Sequence, residues 1–98
     1  MRNPADLGDM AALRAEIDTT DKALSALLGH RARLISRAAE LKAENGWPAR
    51  IADRVDEVIA NAMAHAEAEG YDPALAESLW RELVEWSIRR EETALGRE

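Results

Sequence analysis

Between Asp9 and Gly46 the chain holds no proline and a single glycine, Gly29, and this unbroken stretch limits the possible folds more than any other feature. Asp9 is a good N-cap, Asn45-Gly46 a good left-handed stop, and Pro48 lies just beyond, so the segment reads as one helix over about 9–45. Leu13, Ile17, Leu24, Leu27, Leu28, Leu34, Ile35, Ala38 and Leu41 follow helical spacing along it, with Asp18, Asp21, Lys22, Arg33 and Glu40 largely off that stripe. At 1.5 Å per residue, roughly 36 residues make a rod of ~54 Å, whereas a compact 100-residue domain has a radius of gyration of ~13 Å. The rest of a 98-residue chain cannot cover such a rod. A second copy is the simplest cover, because most soluble oligomers are symmetric homodimers. An interlocked dimer is expected; the rival is a single three-helix bundle bent near Gly29, and sedimentation separates the two.

The remaining residues supply two shorter helices. Helix two is expected over about 52–69, with Val55, Val58, Ile59, Ala62, Met63 and Ala66 inward and Gly70 as its stop. Asp72-Pro73 reads as N-cap and first turn of helix three, about 73–94, which continues through Leu75, Leu79, Trp80, Leu83, Val84, Trp86 and Ile88. Alanine, leucine, glutamate and arginine dominate and β-branched residues are sparse, so the class is all-α: a single domain, 1–98, of three helices with a very long first one.

Composition excludes several kinds of chemistry. There is no cysteine, hence no disulfide scaffold and no thiol nucleophile, and His30 and His65 lie too far apart in sequence to form a ligand pair, so no metal site is expected. No run approaches the ~18 apolar residues of a membrane span and the N-terminus carries no apolar leader, so a cytoplasmic protein without a membrane partner is expected. A net charge of −6 argues against a nucleic-acid partner. Any cationic site must be local.

Most charged residues sit where a solvated helix face would put them. Four do not. Arg31 follows Leu24, Leu27 and Leu28 by helical intervals and precedes Leu34 and Ile35, on the apolar stripe. Lys42, eleven residues later, is rotated from it by only ~20° at 100° per residue. Burying cations is costly, so acidic side chains or an anionic ligand must meet them. Arg14 lies about 100° away from that line, poorly placed for the same pocket within one chain but able to enter a partner's. Glu91 follows Val84, Ser87 and Ile88 at helical spacing, which puts a carboxylate and the Ser87 hydroxyl on the inner face of helix three; it can serve simply as the salt-bridge partner of Arg31 or Lys42. Trp47, Trp80 and Trp86 read as packing residues.

The run Leu13-Arg14-Ala15-Glu16-Ile17-Asp18-Thr19-Thr20-Asp21, then Ala26-Leu27-Leu28 before Arg31, then Lys42, resembles the helical, type II chorismate mutase family and its close relative isochorismate-pyruvate lyase. The likeness covers roughly Ala11 to Glu92, including Arg54-Val55, Gly70-Tyr71-Asp72-Pro73 and Trp86-Ser87-Ile88. It implies an intertwined homodimer in which Arg31, Lys42 and Arg54 of one chain and Arg14 of the partner grip the two carboxylates of a small dicarboxylate substrate. It further implies that Lys42 and the residue at position 91 reach the ether oxygen, and that Ser87 and Ile88 line the pocket. The expected reaction is the rearrangement of chorismate to prephenate, with no cofactor.

The family's usual residue at position 91 is glutamine; Glu91 donates a hydrogen bond only when protonated, so activity is expected to fall as pH rises. Positions where mutases commonly place acidic side chains near the ring hydroxyl read Ile51 and Val55, which keeps isochorismate-pyruvate lyase as the alternative, as does Trp86, while Ser87 leans toward the mutase. A non-catalytic helical dimerisation module is the alternative of another class; it leaves cations on an apolar stripe unexplained.

Overall fold

The structure, a computed structural model, describes residues 1–96. After a short 3₁₀ turn at Pro4–Asp6, capped by the Asn3 side chain, the chain forms α1 (Met10–Asn45), α2 (Ala52–Glu69) and α3 (Pro73–Leu95), with no strand among the described residues. The very long first helix is present and runs unbroken through Gly29.

Each boundary has a local cause. The Asp9 carboxylate accepts from the Ala12 amide at 2.8 Å, satisfying one of the first-turn N–H groups that a helix leaves open. α1 stops at Gly46, whose φ of 70° lets the Trp47 amide turn back to the Lys42 carbonyl at 2.9 Å. Gly70 ends α2 in the same way, at φ 79°, with its amide on the Ala66 and Glu67 carbonyls. Asp72 then caps α3 by accepting from the Ala74 amide at 2.9 Å, with Pro73 in the first turn, where its missing N–H costs nothing.

The chain divides within α1 into two compact units, Met1–Arg33 and the residues from Leu34 onward. In the N-terminal unit Leu7, Ala12 and Leu13 are half-buried, while Ile17, Leu24, Leu27 and Leu28 are exposed, Leu27 to 66%. On this unit the apolar stripe read from the sequence is therefore exposed from Ile17 to Leu28.

The second unit contains the core. Ala49, Ile59, Val84 and Ile88 form one buried cluster, with Val55, Val58, Met63, Trp80 and Leu95 packed against it; Ala62, Ala66 and Ala76 form another under Trp80. The small side chains of the second cluster let α2 and α3 approach closely, and Ala66 and Ala76 are both 0% exposed. A leucine there has no room. Ala76→Leu should therefore destabilise by about 1–3 kcal/mol, whereas Ala60→Leu, on the exposed face of α2, should stay within about 0.5 kcal/mol of the parent in equilibrium urea unfolding.

The inner face of α3 carries Val84, Ser87, Ile88 and Glu91, as the spacing predicts. Ala76, Trp80, Val84, Ser87, Ile88 and Glu91 turn inward, while Leu75, Leu79 and Trp86 are exposed to 51%, 47% and 43%. α3 carries two apolar stripes, rotated from each other by roughly 130° at 100° per residue, and only one of them meets α2.

Candidate active site

The second unit brings two of the expected site residues into contact. Lys42, in the last turn of α1, donates to Oε2 of Glu91 at 2.6 Å and to the carbonyl oxygen of Ala49, also at 2.6 Å. The Lys42 side chain keeps 17% of its surface and that of Glu91 only 5%. The acidic partner that Lys42 required is thus Glu91, forty-nine residues away. An ammonium has three N–H donors, and these two acceptors leave one for a further oxygen.

Glu91 stands on α3 in line with Val84, Ser87 and Ile88, all buried. The Ser87 hydroxyl donates to the Leu83 carbonyl at 2.7 Å, a back-bond one turn up the same helix that fixes its rotamer. Ile88 belongs to the core cluster with Ala49, so an apolar wall adjoins the charged pair.

Arg54, in the first turn of α2, is exposed and paired with Glu57 one turn on. Arg31 and Arg14 belong to the N-terminal unit, where Arg31 is half-buried and Arg14 exposed. Trp86 borders a cleft between α1 and α3 lined by Ser36, Glu40, Arg89, Arg90 and Thr93; Lys42 and Glu91 do not line it. The Arg90 guanidinium lies 5.8 Å from the Trp86 ring centre and donates from Nε to the Ser36 hydroxyl at 3.2 Å.

Two contributors were not found from the sequence. One is the Ala49 carbonyl, which no side-chain pattern reveals; the only hint is the Gly46 to Pro48 stop, which forces a short connection past the end of α1. The other is Arg50, whose guanidinium forks onto Glu85 of α3, with Nη1 2.9 Å from Oε1 and Nη2 2.7 Å from Oε2. Those hydrogen bonds hold the Glu85 carboxyl below the usual carboxylate range, against a smaller opposite effect of desolvation.

Among the described residues no group of three histidine or acidic side chains is placed to hold a metal ion, and no helix is long and apolar enough to cross a membrane. Chemically, the pair offers a fixed positive charge with a spare donor beside a carboxyl group and an apolar wall. That suits an anionic substrate in which charge moves onto oxygen.

Comparison with known proteins agrees. The family profile described as chorismate mutase type II matches residues 13–92. The T-protein of Enterobacter agglomerans is 34% identical over 85 residues, which make up 87% of this chain and 23% of that protein. This chain thus spans under a quarter of that relative's length. With the profile covering four-fifths of the sequence, all three helices included, the chain belongs to the chorismate mutase type II family.

Proposed function

We propose that this chain is an isomerase that converts chorismate to prephenate, acting in the cytoplasm as an intertwined homodimer. The observation that carries this reading is the Lys42 ammonium, held by Glu91 and the Ala49 carbonyl with one donor to spare. In the rearrangement the ether C–O bond breaks as a new C–C bond forms within one molecule. No nucleophile, hydride or co-reactant is required. Negative charge grows on the ether oxygen in the transition state, and a preorganised ammonium at that oxygen stabilises it. Arg31, Arg54 and the partner's Arg14 bind the two carboxylates and fix the reactive conformer, while Ser87 and Ile88 shape the pocket.

The uncovered apolar residues of α1, from Ile17 through Leu41, together with Leu75, Leu79 and Trp86, support the dimer. A face of that size stays in water only at a large hydrophobic cost.

Assay with chorismate and isochorismate, each with products identified, tests the assignment. Prephenate from chorismate is expected. Salicylate and pyruvate from isochorismate alone would establish the lyase reading instead, which the half-buried apolar Ile51 and Val55 favour over a hydroxyl-binding site. No turnover of either would leave the non-catalytic module.

The shared site makes a sharper forecast. Arg14→Ala and Lys42→Ala should each be nearly inactive, yet the two refolded together in equal amounts should regain about one quarter of native activity. Half of the dimers are then mixed, and each mixed dimer rebuilds one of its two sites. Sites built within single chains would show no recovery.

A further inference from the structure

We infer that Arg50 and Glu85 are positioning residues for the site: their forked ion pair pins the α1–α2 connection to α3, so that the Ala49 carbonyl aims the Lys42 ammonium. The inference rests on the functional reading above for its consequence, but not for its geometry.

A lysine ends in a point charge on a flexible stem, with no directional preference of its own. What aims it here is a pair of oxygens from two different elements, Oε2 of Glu91 on α3 and the carbonyl of Ala49 in the connection, each at 2.6 Å. The angle between them is fixed only if the connection cannot move relative to α3. Ala49 is anchored on one side by its own side chain, 6% exposed in the cluster with Val84 and Ile88. Its carbonyl belongs to the peptide plane shared with Arg50, and that plane rotates as a unit. The Arg50 fork onto Glu85 fixes the other side of that plane. Glu85 and Glu91 stand on one continuous helix, so the same rigid body holds both ends of the arrangement.

A surface ion pair is ordinarily worth little, and these side chains are 52% and 44% exposed. Two features set this one apart. Arg37–Glu40, Arg54–Glu57 and Arg81–Glu77 each join neighbours on one helix, whereas Arg50–Glu85 joins two elements across thirty-five residues. Its geometry is also bidentate, the form in which an arginine loses least freedom for the orientation it imposes.

The test uses the whole chain and two independent readouts. The sequence has only two lysines, Lys22 and Lys42, and Lys22 is exposed. In protein labelled with ¹⁵N-lysine, a slowly exchanging side-chain ammonium signal is expected from Lys42 alone. Arg50→Ala should broaden or abolish that signal and lower kcat about tenfold, with little change in KM or in the thermal midpoint. The exchanged pair Arg50→Glu with Glu85→Arg should restore both signal and turnover.

An unchanged signal and kcat in Arg50→Ala would overturn the inference. So would losses that track thermal stability and are not rescued by the exchanged pair. If the native chain turns over neither substrate, the functional reading fails, and the Lys42 signal still decides whether the clamp aims the ammonium.

Discussion

Lys42→Met is expected to lower kcat/KM for chorismate by about 100- to 1000-fold, the usual effect of removing one donor aimed at developing negative charge. The same change should cost about 3 kcal/mol of stability, the low end of the range for breaking a buried pair, because the Lys42 side chain keeps 17% of its surface. The loss arises mainly from Glu91, 4% exposed and left without its cation. Stability and chemistry are therefore separable. In the double variant Lys42→Met with Glu91→Leu no buried charge remains, and unfolding free energy should return to near the native value while activity stays lost. If restoring stability also restored turnover, Lys42 would be a structural residue and the catalytic reading would fail.

The parts of this molecule that were readable from the sequence are those governed by local rules. Asp9 at the start of α1, Gly46 at its end, and the sequence Gly70 to Pro73 between α2 and α3 punctuate the chain through backbone preferences that need no tertiary context. Lys42 and Glu91 stood out because each interrupts an apolar line, and a buried charge must find a partner. Helical spacing also named the buried residues of α2, Ile59, Ala62 and Ala66. It listed Leu75, Leu79 and Trp86 along α3 without assigning them a face, because periodicity locates apolar stripes without saying which of two will meet a neighbouring helix. Ala76 won that contact since a small side chain admits the closest approach.

The connection after α1 was least legible. Arg50 and Glu85 read as ordinary surface charges, and their significance comes from a pairing thirty-five residues apart that no local pattern encodes. Arg54 is the opposite case. Glu57 is three residues on along the same helix face, so its local partner was visible in the sequence. For Arg54 to hold a substrate carboxylate it must exchange Glu57 for that ligand, an exchange that is inexpensive between exposed side chains.

Glu91→Gln should be far more active than Glu91→Ala, although both remove the charge at position 91. The amide keeps an oxygen for the Lys42 ammonium, so the contact that is 2.6 Å in the native chain retains an acceptor. It also carries N–H donors, which a carboxylate lacks. On the proposed reading one of those donors reaches the substrate's ether oxygen as negative charge grows there. Glu91→Ala separates donation from mere neutralisation, since it removes the charge without supplying a donor: its kcat/KM should fall below that of Glu91→Gln by about 100-fold, the usual scale of one donor aimed at developing charge. The measurement is kcat/KM for chorismate with the native chain and both variants under one set of conditions. Equal activity in Glu91→Ala and Glu91→Gln would mean that position 91 never donates to the reacting oxygen, and its role would then reduce to holding Lys42.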